Sequence, residues 1–366
     1  MTVTIDTAGL PPECIVFEPS PLAELGVALH VLAEPGHHPG LRGWATATAA
    51  GLKQDLADRL HEAGFLWTST FSDVFMPFSG IRGGDGRTGA TLAEELDLLD
   101  RLDEERFLTA AMAFTCSPSY STGVMIESRR ALELAATRGP GQLGFARRIL
   151  DDPGAVRAWL RRLFEDCDEA FFADTWRRVG PGLAADARDK TELLRRKGLG
   201  EALRDVSPAL SYDEERGLVL ADKLSVGRTT AVDPAVGPGL TLVPSHFGWP
   251  HLTVLYARGW RPVIAYPVGA PELPGPASVD ILKHRMEALA HPMRMRLCRN
   301  LGRAPYTTGE LAEAHGITAP EVSRHLSVLK RAGLVTTRRR GRYVLHQLDV
   351  GVVARLGSDF LEAVLR

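Results

Sequence analysis

Two four-residue signatures constrain this chain more than any other feature: Thr307-Thr-Gly-Glu310 and, eleven residues on, Thr318-Ala-Pro-Glu321. In each, the Thr hydroxyl can accept from the amide three residues later while the Glu reaches back to the Thr amide, which starts a helix. Gly316 and Gly333 stand where those helices should stop. Pro320 falls in a first turn, where a missing N–H is harmless. Two short helices joined by a three-residue turn containing Gly make a helix-turn-helix. Upstream, residues 279–290 and 292–301 read as two further helices, with Pro292 suited to a first turn.

Helical geometry assigns the faces of the second helix. Val322, Leu326 and Leu329 follow the i, i+4, i+7 rule and should pack inward. That turns Pro320, Ser323, Arg324, Ser327 and Arg331 outward, with Thr318 at the start and His325 and Lys330 on the flanks. Ser, Arg and His can hydrogen-bond base edges in a major groove wide enough for a helix. The plainer alternative is a solvated polar face. Residues 334–348 favour DNA: they read as two extended runs around an Arg-Gly tip that carries Arg338, Arg339, Arg340 and Arg342. Four arginines so placed repel one another unless phosphates neutralise them.

The charge distribution agrees. The chain totals −2, yet residues 281–350 hold 13 Lys and Arg against 5 Asp and Glu, a net of +8; the last sixteen residues balance, so residues 1–280 carry −10. An acidic large part joined to a basic small one suggests a nucleic-acid-binding module beside a domain that stays off the nucleic acid. Gly269-Ala-Pro-Glu-Leu-Pro-Gly-Pro-Ala-Ser278 is the clearest linker, giving a domain over 1–270, a linker over 271–278 and a second domain over 279–366.

The blocks Ala288-Leu-Ala-His-Pro-Met-Arg-Met-Arg-Leu297, Gly309-Glu-Leu-Ala-Glu-Ala-His-Gly-Ile317, residues 322–335 and Gly341-Arg-Tyr-Val-Leu345 resemble the winged helix-turn-helix of the ArsR/SmtB transcription regulators, over about 85 residues in order and without gaps. The resemblance implies a homodimer that pairs through its terminal helices and generally represses, releasing DNA when an effector binds. Val353, Leu356, Phe360 and Val364 make an apolar stripe on the last helix that would serve such pairing; packing against residues 1–270 is the alternative. Metal-sensing members carry Cys-x-Cys at the start of the motif's first helix, or His and carboxylates along the last. This chain has Thr307-Thr-Gly309 at the first place and no His after Asp349, so metal sensing at either place is not expected. Cys298 reads as a core thiol.

Residues 1–270 alternate between helical and extended patterns. Helices are expected over 44–63 (Leu52, Leu56, Leu60), 91–113 (Leu92, Leu96, Leu99, Leu102, Phe107), 155–179 and 183–203. Strands are expected at 2–5, 14–17, 218–220, 239–243, 252–256 and 262–266. The fold class is therefore α+β: a helix-rich N-terminal α+β domain followed by the winged helix. This region resembles, more loosely, an uncharacterised domain that precedes the same winged helix in regulators from high-GC bacteria. The likeness lies in Gly64–Pro77, Glu94-Glu-Leu96, Leu242–His251 and Arg261–Pro267, and it supplies architecture but no effector.

Little here points to catalysis. The two G-x-G-x-x-G matches, Gly84–Gly89 and Gly139–Gly144, follow no convincing strand, and Walker, G-x-S-x-G and H-E-x-x-H motifs are absent. His246 and His251, with His37-His38, could be imagined as metal ligands, but their spacing fits no helix face and no acid lies nearby in sequence. Structural histidines are the expectation, with no metal and no cofactor. If an apolar effector pocket exists, Trp67, Phe71, Phe75, Phe172, Trp176 and Trp249 are the side chains to line it. The four cysteines form no C-x-x-C pair, no apolar run approaches the roughly 18 residues of a membrane span, and the N-terminus lacks a signal-peptide pattern. The reading is a cytoplasmic, homodimeric regulator that binds double-stranded DNA, with no membrane partner and with a small-molecule effector of unknown identity. An enzyme domain fused to an autoregulatory winged helix is the alternative.

Overall fold

The computed structural model describes the chain except residues 1, 36–37, 69–70, 114–126, 224–226, 250, 270–277, 303–304, 341–342 and 366. The chain divides into two compact units, Met1–Pro271 and Glu272–Val364. Of the linker expected over 271–278, only Ser278 lies among the described residues, as the cap of the helix Val279–Leu289.

The first unit is helix-rich α+β with two four-stranded sheets. One has the order β3 (Leu210–Asp213), β4 (Leu218–Asp222), β1 (Thr2–Asp6), β5 (Gly227–Thr230), with β1 antiparallel to β4 and parallel to β5. The other runs β2 (Ile15–Phe17), β6 (Leu240–Ser245), β8 (Val263–Pro267), β7 (Thr253–Leu255). Here β6 is parallel to β2 and β8, and β7 is antiparallel to β8. Every residue of β6 is buried, which explains its unbroken apolar run: an inner parallel strand covered on both faces has no polar alternation to show.

Several expected helices are divided differently. Residues 44–63 form two helices, Arg42–Gly51 and Gln54–Ala63, because Leu52 turns extended after Gly51. Residues 91–113 likewise split into Leu92–Arg101 and Glu104–Ala111, with the Asp103 side chain accepting from the Arg106 amide to start the second. Leu92, Leu96, Leu99, Leu102 and Phe107 are nevertheless all buried. The boundary expected near residue 180 is absent. The helix Pro153–Cys167 passes through a π turn at Asp168–Phe172 into Ala173–Lys197, which contains Pro181. Burial of Leu183 and Ala187 beyond the proline holds the helix through the lost hydrogen bond. It ends at Gly198, whose φ of 82° suits glycine alone.

The second unit is smaller. Helices Val279–Leu289 and Pro292–Leu301 precede the pair Thr308–His315 and Ala319–Arg331. An antiparallel hairpin, β9 (Val335–Arg340) and β10 (Tyr343–Leu348), follows, then the helix Val350–Leu365. Leu297, Leu301, Leu311, Val322, Leu326, Leu329, Leu334 and Val335 form its core. Arg285, on the first helix, and Arg355, on the last, both reach the buried Asp359 carboxylate, at 2.8 and 3.3 Å, so the terminal helices are clamped together. Among the described residues no helix is long and apolar enough to cross a membrane.

Candidate nucleic-acid interface and a histidine-lined cleft

Both capping boxes form. Thr307 accepts from the Glu310 amide, and Glu310 accepts from the Thr307 amide at 2.6 Å. Thr318 and Glu321 repeat the arrangement, with a return bond of 2.9 Å. These bonds hold both carboxyls below the usual range. The left-handed Gly316 (φ 62°) closes the first helix and turns the chain into the second.

Val322, Leu326 and Leu329 face the core, and Thr318, Pro320, Ser323, Arg324, Ser327, Lys330 and Arg331 are exposed. The outward face is therefore continuous, basic and hydroxyl-rich, the composition that reads base edges and phosphates. His325 departs from the expected flank. It is half-buried with its ring 4.9 Å from that of His291, and burial, with the neighbouring His291, Arg294 and Arg324, lowers its pKa.

The hairpin differs from the expected tip of four arginines. Arg338, Arg339 and Arg340 lie within β9, paired with Leu345, Val344 and Tyr343. Gly341 and Arg342, between the two strands, lie outside the described residues, as does the Arg340 side chain. Because strand side chains alternate, the exposed Arg338 and Arg339 point to opposite faces. The stripe expected on the last helix also divides: Val353 and Leu356 pack against the unit's own core, while Phe360 and Val364 are exposed, as are Val279 and Ile281 on the first helix.

In the first unit, a cleft of about 310 Å³ is lined by His30, Trp67, Phe71, Lys223, Ser245 and His251, among others. His30 lies in the last turn of the helix Pro21–Ala33 and its Nδ1 donates to the Trp67 carbonyl at 2.7 Å. His38, fully buried, donates from Nδ1 to the Trp249 carbonyl at 2.6 Å. The rings of His30, His38 and His251 make a near-equilateral triangle with centroids 5.0–5.2 Å apart. Lys223 donates to the Leu252 carbonyl, and burial pulls its pKa down to about 8.

The profile of a family of unknown function (DUF5937) matches residues 1–272. The chain belongs to the DUF5937 family. A helix-turn-helix domain profile matches residues 289–338. The biofilm growth-associated repressor of Agrobacterium fabrum is 35% identical over 96 residues, which are 25% of this chain and 80% of that protein. The HTH-type transcriptional repressor SmtB of Mycobacterium tuberculosis is 38% identical over 92 residues, 24% of this chain and 68% of that protein. The second unit of this DUF5937 protein is thus an ArsR/SmtB-type winged helix-turn-helix, a DNA-binding module, and the chain is a transcriptional regulator. Among solved structures, an ArsR-like transcriptional regulator from Rhodococcus sp. RHA1 is similar over 21% of this chain and 74% of its own, at 23% identity and a TM-score of 0.21.

Within the DUF5937 domain the aromatics expected around an effector do not act as one group. Trp67 and Phe71 line the cleft. Phe75 and Phe172 are fully buried core residues, and Trp176 stacks on Phe172 at 6.0 Å. Trp249 is half-buried and meets the histidine group through its carbonyl. The histidines expected to be structural do bond to backbone carbonyls, through His38 and also His30, and they also lie close together. His38 and His251 converge with His30, which the sequence reading passed over. His246 stays exposed, its ring 5.1 Å from Phe247. His37 lies outside the described residues. No spacing rule links positions 30, 38 and 251; only the fold brings them together.

Proposed function

We propose that the chain is an effector-responsive repressor that binds an inverted repeat of double-stranded DNA as a homodimer in the cytoplasm. Each Ala319–Arg331 helix enters a major groove, with half-sites about 10 bp apart. The observation that carries this reading is the face of Ser323, Arg324, Ser327 and Arg331, exposed along one side of a helix whose other side is core. The relatives named as repressors support the direction of control. Exposed Phe360 and Val364 on the last helix and Val279 and Ile281 on the first offer an apolar surface for pairing two copies. The DUF5937 domain acts as the sensor rather than as an enzyme, with the cleft beside Trp67 and Phe71 as the place where an effector acts. Its binding shifts dimer geometry away from the operator spacing, a coupling of typically 1–3 kcal/mol.

Selection of bound sequences from random DNA, followed by footprinting, tests the reading. Arg324→Ala should relax base preference at one position per half-site, about ten- to hundredfold. A uniform loss on all sequences would make Arg324 a phosphate contact only, and selection that returns no inverted repeat would remove the dimer.

A further inference from the structure

We propose that His30, His38 and His251 form a binding site for a zinc-class divalent transition ion in the DUF5937 domain, with one coordination position left open to the cleft. The site is independent of the DNA-binding reading, since all three residues belong to the Met1–Pro271 unit.

Each histidine offers one ring nitrogen, and the three lie within 4.8 Å of one another. Zinc–imidazole bonds of about 2.0–2.1 Å in a tetrahedral site require each nitrogen to close inward by roughly 0.8–0.9 Å, within the reach of small side-chain rotations. Two of the rings are already oriented as ligands are. Because a carbonyl can only accept, the Nδ1 atoms of His30 and His38 carry protons toward Trp67 and Trp249. Each ring therefore carries its lone pair on Nε2, the atom with which it would bind a metal. An outer hydrogen bond of this kind fixes the tautomer and raises the basicity of a metal-bound histidine.

The three side chains are tied into the fold. His30 belongs to a helix buried along nearly its whole length, His38 is itself buried, and the His251 amide donates to the Gly248 carbonyl at 2.7 Å. Imidazole donors suit zinc, cobalt, nickel or copper rather than magnesium or calcium, which take oxygen. The described residues bring three imidazoles to the group and no carboxylate or thiol. Three protein ligands plus an exchangeable fourth is the pattern of zinc sites that bind small molecules, whereas structural sites take four. His30 and His251 line the cleft, so the fourth position faces it. A dication held by three neutral imidazoles favours an anion there, and Lys223 on the same wall adds positive charge.

Cobalt(II) titration of the chelator-stripped full-length protein tests the site by visible absorption. The expected result is saturable binding of one equivalent per chain, with the intense d–d bands of a four-coordinate ion, and displacement by zinc. His38→Ala and His251→Gln should each abolish the bands, while His246→Ala, outside the triangle, should keep them. Tryptophan fluorescence reports whether each variant's DUF5937 domain is folded, because all six tryptophans lie between Trp44 and Trp260. The gentler His251→Gln carries the test if His38→Ala does not fold. Added azide should shift the bands by entering the fourth position. Absence of saturable binding by the unaltered protein, or bands that survive in folded His251→Gln, would overturn the site. Bands that azide leaves unmoved would overturn the open position.

Discussion

The helices Pro21–Ala33 and Ala319–Arg331 begin from nearly the same sequence and end in opposite roles. Each is thirteen residues long, is capped by a hydroxyl side chain (Ser20 or Thr318), and has a proline in its first turn and a glutamate close behind. In the second helix that glutamate, Glu321, turns back onto its own cap at the surface. In the first, Glu24 is buried and accepts from the backbone amides of His246 and Phe247, at 2.9 and 3.2 Å. One carboxylate completes a helix that must stand clear to meet a partner. The other ties a helix into the loop that follows β6, next to the histidine triangle. Local chemistry starts both helices, and neighbours decide whether the helix becomes a reading head or an internal strut.

Truncation should separate the two roles most sharply. Glu24→Ala leaves the buried Phe247 amide and the part-buried His246 amide without their acceptor and should destabilise the DUF5937 domain by about 2 kcal/mol, read as a lower denaturant midpoint by tryptophan fluorescence. Glu321→Ala removes only the return bond of a surface capping box. It should leave that midpoint unchanged and modestly lower thermal stability in the winged helix. Equal effects from the two would break the contrast.

The same pair predicts pH responses of opposite sign. Burial pushes the Glu24 carboxyl up to about 7 and that of Glu95, which accepts from Ser20, Leu22 and Gly89, up to about 8. A carboxyl whose folded pKa exceeds its unfolded value binds more protons when folded. Its stabilisation is complete below about 4.5 and is lost as pH rises toward 7 and 8. The DUF5937 domain should therefore lose on the order of a few kcal/mol between pH 5 and 8. Partial desolvation lowers the pKa of His246 although its side chain reaches solvent, and this works against the trend without the reach to cancel it. In the winged helix, Glu310 and Glu321 lie below the usual range, so their contribution is present above about 4.5 and lost on acidification. His325 and His346, lowered chiefly by burial, likewise favour the folded state at higher pH. Tryptophan-detected unfolding from pH 5 to 8 tests the first half, and a midpoint that rises with pH would refute it.

These differences also explain what could be read from sequence. The Ala319–Arg331 helix was legible because one side is apolar and the other meets water, so Val322, Leu326 and Leu329 stand out against Ser323, Arg324 and Ser327. Pro21–Ala33 went unread because nearly every residue from Pro21 to Val31 is buried, which leaves no period. Strands β3 and β5 were missed for the opposite reason: as sheet edges they are short and mostly polar, with only Leu210 buried between them. Apolar spacing continued across the breaks at Leu52 and Leu102 because the chain resumes with the same face inward. The histidine triangle draws one residue from a helix end and two from loops far apart in sequence. Neither of the two periods that carry sequence patterns can connect them.

The smallest expected effect concerns the wing. If the basic unit meets phosphate and the acidic one does not, neutralising a wing arginine should flatten the plot of log K against log salt by about one unit per lost phosphate contact. Strand alternation sharpens this: Arg338 and Arg339 face opposite ways, so Arg338→Ala and Arg339→Ala should differ, with the slope change in only one of them. Arg216→Ala, at an exposed turn of the DUF5937 domain beside Asp213, is the control and should leave the slope as it is. Equal slopes for all three variants would take β9 off the DNA and leave phosphate binding to the Ala319–Arg331 helix, whose Lys330 and Arg331 are already exposed at its C-terminal end.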